Sequence, residues 1–589
     1  MSIVEVRRVV EYSQFFPSER PIDVDETLRQ FNRIELVKIA ALISLQYGNL
    51  SFPNKYQTIF SEESRIHIPE LNKLFEDYSR RVGLKLNESV EICTFRTGLE
   101  LWRHIFSIPQ ESFTSEVANQ DKEFLLFKVL LSLNEIVVGF KGEIDNLEAD
   151  ELLFLNSFLT NDTNIYDYQK VIQCQAYYFQ QLIAFIPSND LMKNASEQLF
   201  ARWRIGHWNQ YFATILWLCN ETNRYKEDRG LGVPIINVDQ LTANDTTKLF
   251  SPILVDSLSV DVNEYLPYED DGDTDGRTLN VDYRRFREKP FVRIGDGNYI
   301  VINNQLLCER LYNSLYFDFL PFINGKSGSC GYFDYNKDFT EKVLFRNTFF
   351  NCLPSSVFTY PNRGGNVSNE QPHEPDFYAR TAQSQLILVE CKAIKMNGLC
   401  RDEGDYKRLL DELREKIVLK TRNLDKSRKE FNRAPEPIGV GQLAYNINSI
   451  EDDKFLWDDS IPDEVSYYPI LVFDDIRFLQ PGLLSLVNRW FYQELHSWEE
   501  IELSKVACNP VMIVSINTLY LYDDFIRKKG ITRLIDSFLR NEAEYCANTG
   551  EYVFNNPMVS FDDYLRHNPY NKKQDVARWL KEFLHAPNS

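Results

Sequence analysis

Asp376, Glu390 and Lys392 are the residues whose types and spacing could do chemistry. Glu390 and Lys392 end the run Leu386-Ile387-Leu388-Val389-Glu390-Cys391-Lys392, and Asp376 follows Glu374-Pro375 at the start of the shorter apolar stretch before it. Side chains alternate faces along a strand. Leu386, Leu388, Glu390 and Lys392 therefore share one face, and Ile387, Val389 and Cys391 share the other. An acid and a lysine thus stand at the end of a strand otherwise fit for a core. Charged residues are rarely buried without partners. The economical partner is a divalent cation, with Asp376 from the neighbouring strand as a second carboxylate. Hard cations such as magnesium prefer carboxylate oxygen, and sites of that kind hydrolyse phosphodiesters. The competing reading is an ordinary hairpin with solvated end charges.

The elements around these residues read in a definite order. A helix over 339–349 carries Glu341, and a strand over 356–360 follows it. A Gly- and Asn-rich loop over 361–371 leads into the Asp376 strand and then the Glu390 strand. Two helices are expected over 403–431 and 439–450, then a buried strand over 468–473. A helix over 481–495, a strand over 510–516 and further helices complete the chain.

Pro375-Asp376 followed by Glu390-Cys391-Lys392 resembles the PD-(D/E)XK nuclease superfamily, over roughly residues 335–520. The resemblance implies a mixed α/β fold with a restriction-endonuclease-like αβββαβ core and an elaborated connection after Lys392. It implies that Asp376 and Glu390 hold one or two Mg2+ (or Mn2+) ions, with the backbone carbonyl of Cys391 as a further oxygen ligand. Lys392 would orient or deprotonate the attacking water, and a lysine beside metal ions can have a lowered pKa. Glu341 resembles the family's helix-borne acid, which supports a second metal or its waters. Gln442, in Gly441-Gln442-Leu443-Ala444-Tyr445, resembles the glutamine helix of several branches. Those branches space Gln and Tyr four apart, whereas Tyr445 is three away. The Cys391 side chain, on the opposite strand face, reads as a small core thiol, and His373 as a polar loop residue.

A basic run follows the motif. Lys416, Lys420, Arg422, Lys426, Arg428, Lys429 and Arg433 face only Asp425 and Glu430. On one continuous helix they would form a stripe that contacts phosphates without reading sequence. A solvated helix face is the competing reading. The stretch stands out because the whole chain carries a formal net charge of −21. That balance excludes broad, non-specific coating of nucleic acid, so any nucleic-acid groove must be a local basic patch.

At 589 residues, 43% hydrophobic and 14% aromatic, the chain has material for two to four domains and several large cores. Its ten cysteines form no CxxC pair and no Cys/His cluster, so reduced thiols and a cytoplasmic location are expected. The N-terminal MSIVEVRRVVEYSQ lacks a signal-peptide apolar region. No apolar stretch is long enough to span a bilayer.

Residues 1–255 read as an all-α region, with Leu36, Ile39, Ala40 and Ile43 at helical spacing and Asp121 placed to cap a helix near Phe124. Trp203, Trp208, Tyr211 and Phe212 could form a base-stacking platform, but core packing is the favoured reading. Residues 256–334 read as an acidic linker, a hairpin turning at Gly295-Asp296-Gly297, and a helix over 304–319. Asp271, Asp273, Asp275, Gly276 and Asp282 partly fit a calcium-loop spacing. Asp rather than Glu at the twelfth position and the nearby Pro267 favour a solvated linker. Residues 335–525 are the nuclease-like domain and 526–589 a helical tail.

These readings converge on a metal-dependent endonuclease acting on DNA, with RNA not excluded, resembling prokaryotic restriction or phage-defence effectors in architecture. The N-terminal region would sense, recruit a partner protein or form a homo-oligomer. The rival readings are an inactive nuclease fold used for binding or assembly, and a helical scaffold whose motif is accidental.

Overall fold

The computed structural model describes residues 8–46, 50–52, 56–60, 63–84, 89–114, 120–138, 147–160, 168–227, 232–242, 249–267, 281–295, 297–323, 334–362, 373–420, 436–496, 507–549, 560–567 and 583. The chain is mixed α/β. It divides into two compact units, one of residues 1–4, 141–158 and 333–574, the other of residues 5–140, 159–332 and 575–589.

In the first unit, the π-helical stretch Tyr335–Phe345 runs directly into the α-helix Arg346–Asn351, together α1. Three strands follow, β1 (Phe358–Tyr360), β2 (Phe377–Arg380) and β3 (Gln385–Lys392). Helices α2 (Tyr406–Ile417) and α3 (Val440–Glu451) lead to β4 (Ser466–Phe473). Helix α4 (Leu483–His496), strands β5 (Ala507–Cys508) and β6 (Met512–Ser515), and helices α5 (Ile516–Lys529) and α6 (Ile531–Thr549) complete the labelled elements.

One six-stranded sheet organises this unit, in the order β5-β4-β3-β2-β1, with β6 also paired to β4. β2 runs antiparallel to β1 and to β3, with Val389 opposite Phe377 and Leu386 opposite Arg380. β3 and β4 are parallel, from Gln385 opposite Ser466 to Lys392 opposite Phe473. A parallel neighbour requires a crossover, and the α2–α3 segment supplies it. Central strands covered on both faces read as continuous apolar runs. Accordingly Leu386, Ile387, Leu388 and Val389 are at most 2% exposed, each contributing about 1.5–3 kcal/mol of burial.

Two expectations are corrected in this unit. The helix expected over 403–431 ends at Ile417, where Val418 leaves helical geometry (φ −120°, ψ −66°). Leu419–Lys420 then pairs as a short strand with Glu436–Pro437. Ile417 and Val418 are both fully buried, so tertiary packing of two β-branched side chains overrides a charged, helix-favouring sequence. The helices of 526–549, expected in a separate tail, belong to this unit.

The second unit is helical with two small sheets, so the region 1–255 is not all-α. One sheet joins Arg8–Val9, Val90–Glu91 and Ser51–Phe52; the other joins Ile235–Asn237, Asn298–Val301, Phe291–Gly295 and Ser259–Asp261. Apolar runs too short for helical periodicity, such as Ile235-Ile236, pair with the hairpin formed by the strands Phe291–Gly295 and Asn298–Val301. The helix Gln120–Val138 begins before Asp121, which lies in its first turn. Trp203, Trp208, Tyr211 and Phe212 are at most 5% exposed, and Trp203 stacks on Tyr211 at 4.9 Å; they are core. Asp271, Asp273, Asp275 and Gly276 lie outside the described residues. The Asp282 carbonyl accepts a hydrogen bond from Arg287 Nε at 3.0 Å.

Candidate active site

The antiparallel register that places Phe377 opposite Val389 brings Asp376 and Glu390 together one step further along. Their contacts cross. The Cys391 N–H donates to Asp376 Oδ2 at 2.8 Å, and the Asp376 N–H points at Glu390 Oε1 at 3.4 Å. Two carboxylates thus close the end of the β2–β3 ladder, taking main-chain donors that a longer strand pairing would have used. Lys392 Nζ stands between them, 3.2 Å from Glu390 Oε2 and 3.9 Å from Asp376 Oδ2. The Glu390 side chain is fully buried, and those of Lys392 and Asp376 are 13% and 20% exposed.

Glu341 joins this group from α1. Burial and the Asp376 carboxylate push its pKa up to about 8, against the opposing pull of Lys392 and of the Ala393 N–H that it accepts. Burial, with Asp376 beside it, also holds Glu390 well above the usual carboxylate range. Burial alone would lower Lys392, but Glu390, Asp376 and Glu341 outweigh it and hold the ammonium protonated. The lowered lysine pKa expected beside metal ions is therefore not a property of the metal-free site, where carboxylates rather than cations surround the amine. The Cys391 thiol is buried and its pKa raised by burial.

The segment carrying Asp376 is anchored at four points. Gln442 Nε2, from α3, donates to the Glu374 carbonyl at 2.6 Å. The Tyr360 hydroxyl donates to Glu374 Oε1 at 3.0 Å. Arg346 Nε donates to the Asp376 carbonyl at 3.1 Å. The His373 ring packs on Tyr445 with centroids 4.3 Å apart. Gln442 and Tyr445, three residues apart, thus share one face of α3, and that face grips the segment before Asp376. Arg346, Glu374, Tyr360 and the loop residue His373 were missed as contributors. The Pro-Asp opening pointed only to the acid, and nothing local in the sequence marks a residue that holds a distant carbonyl.

Two glycines let α3 reach the site. A Cβ on Gly441 would lie 2.2 Å from the Val418 carbonyl oxygen. Gly439, with φ +50°, caps the helix, and a Cβ there would lie 2.7 Å from the Ile417 oxygen and 3.0 Å from Lys392 Cε.

On the other side of Lys392, the strand ends are tied by ion pairs. Lys395 Nζ lies 3.4 Å from Asp474 Oδ2 and 3.3 Å from Asp475 Oδ2, and Arg477 holds Asp475 at 2.6 Å. Lys416 donates to the Lys395 carbonyl and pairs with Glu412 at 2.6 Å. Its ammonium is thus engaged within the fold. Lys420 is exposed on the short strand after α2, not on a helical stripe with Lys416. Arg422, Lys426, Arg428 and Lys429 lie outside the described residues.

Among the described residues, no group of three or more His, Cys, Asp and Glu side chains is arranged to hold a metal ion. Asp376 and Glu390 are carboxylates within ion-pair reach of the Lys392 ammonium, and the Glu341 carboxyl interacts electrostatically with Asp376 and Lys392; carboxylate oxygen is the donor type that hard cations prefer. Among the described residues, no helix is long and apolar enough to cross a membrane. No family model, curated protein or solved structure matches the chain.

Proposed function

We propose that the chain is a divalent-cation-dependent endonuclease that hydrolyses phosphodiester bonds of DNA, with Asp376, Glu390 and Lys392 at its centre. The observation that carries this reading is the convergence of two carboxylates and a lysine at one end of β2 and β3, with Glu341 alongside. The order α1-β1-β2-β3-α2-α3-β4, with antiparallel β1, β2 and β3 and β4 parallel to β3, supports a restriction-endonuclease-like core with an added helix, α2, in the crossover. A role in prokaryotic restriction or phage defence belongs to the same proposal and rests on analogy of architecture.

Asp376 and Glu390 would hold Mg2+ or Mn2+, with Glu341 and the Cys391 carbonyl as further oxygen donors. The cation supplies neutralisation of phosphoryl charge and a more acidic bound water. Lys392, held as an ammonium, donates hydrogen bonds to the attacking water and to charge developing on the phosphoryl oxygens, rather than removing a proton. Gln442, Tyr360 and Arg346 act on the segment that carries Asp376, so Gln442 is a positioning residue and not a group that touches the reacting atoms.

A second reading, a nuclease-like fold that binds without cleaving, is favoured by Lys392 standing between the carboxylates, where a cation would have to enter. One experiment separates the two. Purified protein should cleave DNA with magnesium or manganese, lose cleavage in excess chelator, and lose it on Asp376→Ala. Undiminished cleavage by Asp376→Ala, or in chelator, would refute the catalytic assignment; DNA binding without cleavage under any metal condition would favour the second reading.

A further inference from the structure

We propose that Lys392 is a built-in counter-cation: in the metal-free protein its ammonium takes the place between Asp376 and Glu390 that a divalent cation occupies, and cation entry displaces it. This rests on the metal-dependent reading above and adds a regulatory step at the same site.

The geometry carries the inference. Nζ lies within 3.2 Å of one carboxylate and 3.9 Å of the other, the separations an ion pair needs. A divalent ion ligated by those same oxygens would lie within a few ångströms of the ammonium. Two positive charges so close in a poorly solvated site repel strongly. Binding of the ion to those oxygens therefore favours movement of the ammonium away from them. On one side the lysine chain runs against Gly439, whose missing side chain leaves the space that Lys392 Cε fills; a Cβ there would lie 3.0 Å from Cε. Departure of the ammonium would leave the carboxylate oxygens to the incoming ion.

The consequence inverts the usual expectation for a site residue: removing Lys392 should tighten cation binding. Full-length protein is titrated calorimetrically with magnesium, and separately with manganese, without nucleic acid. Lys392→Met should bind at least ~10-fold more tightly than wild type, because the ion no longer displaces a competing charge. Without metal this variant should melt at a lower temperature than wild type, and it should gain more from added metal. Wild-type protein supplies an independent readout that does not depend on the variant folding. Acylation of Lys392 by an amine-directed reagent, followed by mass spectrometry, should accelerate several-fold when metal is added. Equal or weaker cation binding by a folded Lys392→Met would overturn the proposal. So would a Lys392 acylation rate that metal leaves unchanged or lowers, and that rate decides if the variant does not fold. Wild-type cation binding with either of those results defeats this proposal alone; no cation binding by wild type or variant defeats the metal-dependent reading with it.

Discussion

Gln442→Leu tests whether α3 positions the site or takes part in the chemistry. The side-chain amide donates to the Glu374 carbonyl at 2.6 Å, two residues before Asp376. Leucine keeps much of the bulk and removes the donor. The carbonyl is left partly buried without that partner, which costs about 1–2 kcal/mol. The remaining anchors persist: Tyr360 on Glu374 Oε1, Arg346 on the Asp376 carbonyl, and His373 on Tyr445. The segment should therefore shift rather than unfold. A displacement of about 1 Å in a positioning element costs roughly 10²-fold in rate. The expected result is a modest fall in the urea midpoint, a single-turnover cleavage rate lower by ~10–10², and weaker cation binding, because Asp376 itself moves. Gln442→Glu should be worse than leucine, since it sets a carboxylate against a carbonyl oxygen. The assays are equilibrium urea melts, calorimetric cation titration and single-turnover cleavage on the same preparations. Two results would refute the reasoning. If Gln442→Leu were as inactive as Asp376→Ala with unchanged stability and cation affinity, the amide would have to touch the substrate. If it cleaved as wild type, the segment would be held without it.

The same helix supplies a harder test of packing. Gly441→Ala places a Cβ 2.2 Å from the Val418 oxygen and 3.4 Å from Pro437 Cβ, and backbone on one side cannot yield, so a loss of ~2–4 kcal/mol and reduced cleavage are expected; a thermal melt superimposable on wild type would contradict the close approach. In the second unit, His104 Nδ1 lies 2.7 Å from Asp25 and Nε2 3.5 Å from Glu100. Burial lowers its pKa, but the two carboxylates together push it up to about 9. A raised folded-state pKa gives stability that is complete below the unfolded value, near 6.5, and lost as pH climbs to about 9. His104→Gln should therefore cost roughly 2–3 kcal/mol at pH 6 and little at pH 9.5, read from urea melts across that range; a pH-independent difference would show that the imidazole is not charged in the fold.

The strand pair was legible because its pattern is local. An apolar run long enough to be a buried strand, ended by an acid and a lysine on one face, needs only the period-two rule to be read. The loop-then-strand order placed Asp376 within reach of Glu390, and the structure pairs their strands in that register. The basic run misled for the opposite reason. Its charges are a local signal, yet the helix stops at Ile417 because Ile417 and Val418 pack into the core, and Lys416 turns inward to the Lys395 carbonyl. Composition marks a residue as basic without saying which carbonyl, across twenty residues of chain, will accept its proton. The anchors of Asp376 were illegible in the same way: Gln442 and Tyr445 were visible on one helical face, but that the face grips Glu374 and His373 is a fact of the crossover between β3 and β4.

The electrostatics of the strand end argue that it is kept for something other than stability. A fully buried Glu390, with Asp376 and Glu341 beside it, is compensated by one lysine, and both Glu390 and Glu341 are displaced toward their neutral forms. Apolar residues of similar size at the end of a core strand would fold at lower cost. The flanking cluster is matched in formal charge, with Lys395 and Arg477 meeting Asp474 and Asp475, and burial raises the Asp474 pKa there as well. Two ion clusters therefore sit a few residues apart at the ends of β3 and β4, one matched in formal charge and one with three carboxyl groups beside Lys392. Local conflict of this kind, inside a sheet whose pattern and packing otherwise agree, is expected at functional or strained sites. On the proposed reading, a hard cation is the partner that would resolve this conflict. On the same reading, the lysine among those oxygens orders the events: the ammonium leaves the carboxylates before it serves the phosphoryl group.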